Sequence, residues 1–490
     1  MYRAAAVWPL LARHRWFVAA FTAGLALRVI TMIGFPPAIW FGGDSASYLS
    51  TALRHAPGTS RLSGYGIMLL LLRPFHSFAV VTTVQHLLGL AMAVLIYAVA
   101  RRYGLPGWGA TLTTLPVLLS GYQLELEQEI LPSAAFSFLV LLAVTLALWW
   151  RGRGPLWAPA AAGLLLAVSA TFWPVGLPLL LLYLVYLLLR RAGWRAVTAT
   201  ALMAAVPLGA YLLWFNGYYQ RLAFTSSDGI YLWSRTMTFA DCAVIHPPVG
   251  ERGLCPRRRP GPRPAASTFI WDAHSPLNNV PGRKFSASKN ALALNFALRA
   301  IAAQPGGYLT DVLHDFSLTF AWRVPPHPTA EMTRRYQFAH ATRHWISPGS
   351  VVVGSHTVAS DERAYGGATT TLAVQPFAGW LSAYQRVVYL PGTLLGLVLL
   401  TGLGGIVRAW RGGGIRRLAG WGGPGLLPWA SSLALLLVPV MTADYSQRYT
   451  LIAVPVAALA AALAFAGPAP ATAPEPAVAA ARVAAPAPRP

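Results

Sequence analysis

Acidic residues are scarce in this chain of 490 residues: 15 Asp and Glu stand against 38 Lys and Arg, and charged residues of both signs make up only 11%. An average soluble domain carries roughly 25% charged residues. The shortage excludes an ordinary soluble domain, and the 56% apolar content points to a membrane protein. Lysine is nearly missing, with Lys284 and Lys289 the only two, so the net charge of +23 is almost wholly an arginine charge. The arginines fall in short clusters between apolar runs, and no basic face interleaved with aromatics occurs, which argues against a nucleic-acid partner. No Asp-x-Asp pair occurs, so a tightly held metal is not indicated. No internal repeat of useful period is found, and the first apolar segment lacks a clear small-residue cleavage site and is long enough to span, so we expect no cleavable signal.

A membrane-spanning helix needs about 20 predominantly apolar residues. Ten stretches fit, near 16–36, 77–100, 104–120, 133–150, 156–172, 174–190, 197–215, 384–408, 425–442 and 448–466. Arginine clusters mark every second boundary: Arg3, Arg13 and Arg15; Arg101 and Arg102; Arg151 and Arg153; Arg190, Arg191 and Arg195; Arg408, Arg411, Arg416 and Arg417. By the positive-inside rule those boundaries and both termini face the cytoplasm. The acids agree, because fourteen of the 15, from Asp44 to Asp444, fall on the opposite side and only Glu475 does not. The expected fold class is thus an all-α polytopic protein of the cell (plasma) membrane. Its modules are a transmembrane module over 1–215, an extracytoplasmic lobe over 216–383, C-terminal transmembrane helices over 384–466 and a disordered Ala/Pro tail over 467–490.

Three outer segments carry the chemistry. The first, 37–76, holds Trp40–Arg54, WFGGDSASYLSTALR, in which a Gly-Gly pair places Asp44 where an N-cap would sit. Asp44 and Tyr48, four apart, then share one helix face; the plain alternative is that Asp44 only caps a short surface helix. Gly64-Tyr65-Gly66 reads as a turn before an amphipathic run. The second segment, GYQLELEQEILPS from Gly121, reads by alternation as extended, with Glu125, Glu127 and Glu129 on one side. The third, Asn216 to about Tyr384, is too long for an ordinary loop and is expected to hold short helices of its own. Its stretch Arg257–Pro264 is too rich in Pro and Arg to pack. Cys242 and Cys255 lie in this segment, and an oxidising outer compartment makes a disulfide between them the expectation.

No acid lies in a helix centre, which argues against ion-coupled transport, where intramembrane carboxylates usually line the path. Arg28 and His86 are the ionisable side chains inside apolar segments; Arg28 either snorkels upward or sits near a phosphate, and His86 reads as a hydrogen-bonded packing residue. Arg448 and Tyr449 open the last helix, either as interfacial anchors or, through the planar guanidinium, as ligands of a lipid-linked phosphate.

Taken together, FGGDSASYL in the first outer loop, the Gly-Tyr-Gly element leading to VTTVQHLLGL and an Arg pair, the second-loop acids before ILPSAAFSFLVLLAV, and the RY-led final helix resemble the GT-C superfamily of membrane glycosyltransferases. Within it the chain looks like the protein O-mannosyltransferase and aminoarabinose-transferase branch, in particular actinobacterial members with an outer pair like Asp241-Cys242 and Leu254-Cys255. The likeness covers residues 16 to about 200 and, less fully, the last helix. It implies a GT-C-like bundle and transfer of a sugar from a polyprenyl phosphate to an acceptor hydroxyl on a protein, glycan or lipid outside the membrane. It further implies Asp44 as general base, Glu127 as second carboxylate with Glu125 and Glu129 as alternatives, Arg448 as phosphate ligand, and Tyr48 and Tyr65 as walls of the sugar pocket. At FWPVG, where relatives often carry a basic residue before the proline, this chain has Trp173, which shifts phosphate binding to Arg28, Arg61 or Arg448. No cofactor is required by this reading, although a divalent cation bridging Asp44 and Glu127 is left open. The competing class is a non-enzymatic transporter or flippase of a lipid-linked intermediate.

Overall fold

The structure, a computed structural model, describes residues 12–150, 154–256, 263–342, 350–353, 355–367, 370–414 and 423–466. It is mostly helical, an all-α membrane protein, and eight of the ten apolar stretches form helices close to the expected bounds. Among the described residues five helices are long and apolar enough to cross a membrane: Arg15–Gly34, Phe78–Arg102, Trp194–Tyr219, Gly392–Arg411 and Gln447–Ala464. Ser133–Trp149, Trp157–Phe172, Gly176–Leu189 and Leu426–Thr442 are shorter apolar helices. Arg3, Arg151, Arg153, Arg416, Arg417, residues 257–262 and the tail from 467 lie outside the described residues.

Two boundaries differ from the sequence reading. The stretch 104–120 is not one helix but two, Gly107–Leu112 and Leu115–Leu119. Pro116 lacks an amide hydrogen and its ring crowds the carbonyl four residues earlier, so the first helix stops at Leu112. The expected span 384–408 begins instead at Gly392, after Pro391, and residues Phe377–Val387 form a separate helix.

The final helix, Gln447–Ala464, is the most buried of the five and packs against Phe78–Arg102, Ser133–Trp149, Gly392–Arg411 and Leu426–Thr442. Its Ala-rich surface explains this, since helices in lipid associate through close van der Waals contact of small residues. Arg448 at its start is thereby fixed at the end of the bundle opposite the arginine clusters.

Outside the bundle, Asp228–Thr236, Ala266–Trp271 and Ala287–Ala303 enclose a separate apolar core of Ile230, Trp233, Ile270, Leu277 and Phe296. A Cys242–Cys255 disulfide closes one side of it, with Cα atoms 6.1 Å apart. Arg263, at the end of the Pro- and Arg-rich stretch, is held by the carbonyls of Met237 and Ala240. The one strand pair among the described residues is Val351–Val353 with His356–Thr357.

Candidate active site at the outer helix ends

The first-loop helix runs Gly42–Arg54, and Gly42 opens it with a φ of 55°, a left-handed conformation that favours glycine. The N-cap is therefore Phe41, and Asp44 falls in the first turn without capping any amide. Ser45 does the local work: its Oγ accepts from the Phe41 amide and donates to the Ile130 carbonyl. The capping role considered for Asp44 is thus not the one it plays, because its carboxylate is engaged elsewhere.

Arg61 donates to Asp44 Oδ1 from Nε at 3.0 Å and from Nη2 at 2.7 Å, while Arg448 Nη1 donates to Oδ2 at 2.9 Å. Burial pushes the Asp44 carboxyl up, but the Arg61 and Arg448 guanidiniums pull it further down, to about 2. Both arginines are stacked on rings. Arg61 lies 5.4 Å from the Tyr231 ring centre and 5.6 Å from that of Trp271; Arg448 lies 5.5 Å from Phe41 and Trp173 and 5.4 Å from Tyr449. Tyr48, one turn from Asp44, meets Tyr65 edge-on at 5.2 Å, and burial pushes its hydroxyl above the ordinary range. Gly64-Tyr65-Gly66 is not a turn but the first turn of the helix Gly64–Leu72. A side chain at Gly64 would strike Thr171, and one at Gly66 would strike Thr51.

The second-loop acids are divided. Gly121–Gln128 is helical rather than extended, so Glu125 and Glu129, four apart, come together while Glu127 points away. Glu127 is buried in a network: Arg28 Nη2 and Gln123 Nε2 each donate to its Oε1 at 2.8 Å, and His86 Nδ1 lies 2.9 Å from its Oε2. Arg28 also donates to the carbonyls of Gly24, Val117 and Leu118. It therefore neither snorkels to the surface nor faces the Asp44 cluster. His86 is hydrogen-bonded packing, as its neighbours Glu127 and Gln128 show.

Glu125 and Glu129 are also buried, and outside their own pair none of their four carboxyl oxygens meets a donor among the described residues. Burial, and then the charge of Glu129, pushes the Glu125 carboxyl well above its ordinary value. Burial raises Glu129 too, against a hydrogen bond from the protonated Glu125 carboxyl and the charge of Arg448. Glu129 is thus the second-loop acid within electrostatic reach of both Arg448 and Asp44. Backbone pairing fixes that: Ile39 donates to the Gln128 carbonyl and accepts from the Ile130 amide, zipping the start of the first loop to the end of the second. Asp44 and Glu127 accept from different arginines and belong to different networks.

Several members of the cluster had no sequence signal. Tyr231 and Trp271 come from the helices Asp228–Thr236 and Ala266–Trp271, and Tyr336, stacked 5.0 Å from Phe41, has its hydroxyl 3.0 Å from Ser446 Oγ. Trp173 stood out only as a departure from the family pattern, and its ring proves to cover Arg448.

No family model matches the chain, and no curated protein matches it. Among solved structures it is similar to the oligosaccharyltransferase of Archaeoglobus fulgidus in the apo form, at 12% identity and a TM-score of 0.42 over 93% of this chain and 50% of that one. It is similar also to ArnT from Cupriavidus metallidurans bound to undecaprenyl phosphate, at 12% identity and a TM-score of 0.37 over 91% of this chain and 77% of that one. The chain spans half the length of the oligosaccharyltransferase.

Proposed function

We propose that the protein is a GT-C-type membrane glycosyltransferase that moves a sugar from a polyprenyl phosphate to an acceptor hydroxyl at the extracytoplasmic face of the plasma membrane. The observation that carries this reading is the Arg61–Asp44–Arg448 cluster at the outer end of an apolar helix bundle, where two fixed cations and a carboxylate share one site. In the reaction the acceptor hydroxyl gives its proton to Asp44 as its oxygen attacks the anomeric carbon. The bond from that carbon to the phosphate oxygen breaks, and the arginines take up the charge gathering on the departing lipid phosphate. Tyr48 and Tyr65 wall the space beside Asp44, and Tyr449 lines the side of Arg448.

Within this reading Glu129, with Glu125 behind it, holds the second-carboxylate place, and Glu127 acts at a distance by positioning the second loop through Arg28. To test the function, the purified protein in lipid nanodiscs is supplied with undecaprenyl-phosphate-linked hexoses and pentoses together with a cell-envelope extract as the source of acceptor, and free undecaprenyl phosphate is measured by mass spectrometry. Release from at least one donor, dependent on Asp44, is the expected result. No release from any hexose or pentose donor contradicts it.

A further inference from the structure

The Asp44 carboxylate lies where an incoming anion belongs. Two guanidiniums converge on it from different parts of the chain, Arg61 from the first outer loop and Arg448 from the last helix. Neither is free to follow it if it leaves. Arg61 is held against Tyr231 and Trp271 and donates to the Ser60 carbonyl, while Arg448 is stacked on Phe41, Trp173 and Tyr449. The Arg448 Nε is buried and has no partner among the described residues, a donor in excess of what Asp44 uses. A short aspartate side chain can swing about its own torsions; the two stacked guanidiniums keep their spacing.

Resting on the donor reading above, we propose that Arg61 and Arg448 form one preorganised site for the phosphate of a lipid phosphate ester, the diester of the donor or the monoester left after transfer, and that Asp44 occupies it as a placeholder which the ligand expels. Planar guanidiniums suit this role because their forked donors match phosphate oxygens. The exchange also prepares the base. While paired with both arginines Asp44 is held at about 2, a weak proton acceptor; once the phosphate has taken the arginines, the groups that pull it down are spent on the ligand. Proton acceptance is thereby tied to a seated donor, and a donor-free site keeps its carboxylate inert.

The consequence is an inversion: a variant that loses the base gains affinity. Asp44→Asn keeps the shape but no longer competes as an anion, so it binds undecaprenyl phosphate about tenfold more tightly or better than the parent, the worth of one charge-assisted hydrogen bond that need not be broken. The measurement is equilibrium binding of undecaprenyl phosphate to parent, Asp44→Asn, and Asp44→Asn combined with Arg448→Ala, all in nanodiscs and each checked for an intact thermal transition. Tighter binding by Asp44→Asn that is lost on adding Arg448→Ala supports the placeholder. Equal or weaker binding by Asp44→Asn, or a gain that survives Arg448→Ala, overturns it. If no form binds undecaprenyl phosphate, the donor reading fails, and inorganic pyrophosphate then decides the placeholder separately: tighter binding by Asp44→Asn supports it, and unchanged or absent binding overturns it.

Discussion

At the scale of single residues, the acids divide by their partners. Asp44 was legible in the sequence because it is an isolated acid just after a helix-breaking Gly-Gly pair, and Arg61 and Arg448 were legible, together with Arg28, as the phosphate candidates left once Trp173 stood where relatives carry a basic residue. Glu127 was not, because a spacing of two reads equally as a strand face or as opposite sides of a helix. The helix decides it, and the consequences are measurable. Glu127→Ala leaves Arg28 buried without its counter-charge and is expected to cost about 3 to 5 kcal/mol, read as a loss of thermal stability. An unchanged melting transition contradicts that role. The Glu125 and Glu129 carboxyls titrate above their ordinary 4.5 in the folded chain. Such groups contribute stability that is fully present below the unfolded value and is lost as the pH rises through the raised folded value. Glu125→Gln is therefore expected to gain stability relative to the parent as the pH rises above the ordinary carboxyl value, flattening the decline. Parallel pH profiles for the two proteins count against the buried pair.

At the scale of elements, the helices were readable from apolar run length, and their breaks were set by prolines whose effect a hydropathy average hides, as Pro116 and Pro391 show. The contact of the second loop with the bundle was invisible in sequence, since it depends on Gly89 in the middle of Phe78–Arg102. A Cβ added at Gly89 would sit only 1.9 Å from Glu127 Oε1. Gly89→Ala must displace that carboxylate from Arg28 and His86, so a destabilisation of about 1 to 3 kcal/mol is expected, as for overpacking elsewhere. Gly89→Ala with the parent's stability and activity argues against that close approach. In the lobe, the expected disulfide is formed, and its thirteen-residue separation gives a constraint worth about 3 kcal/mol by loop entropy. Removing both cysteines together is expected to loosen Asp228–Thr236 and Ala287–Ala303 to hydrogen exchange, leaving the bundle protected.

At the scale of the whole molecule, the sorting of acids against arginines predicts which face is outside, and the site assembles where the acids gather. The lobe's approach to that site, through Tyr231 and Trp271 onto Arg61, was not legible, because aromatic residues in a long polar segment carry no spacing that says what they meet. The orientation has its own check: single cysteines at the exposed positions Asp228 and Asp272 are expected to react with a membrane-impermeant maleimide from outside intact cells. The central claim, that Asp44 accepts the acceptor's proton during sugar transfer, is tested most directly by the single-turnover rate of Asp44→Asn with a donor that the parent uses. General base catalysis typically supplies about 10² to 10⁴ in rate, so the account predicts a fall of about 100-fold or more in a variant that still folds and still binds undecaprenyl phosphate. Transfer by folded Asp44→Asn at the parent's rate would contradict it.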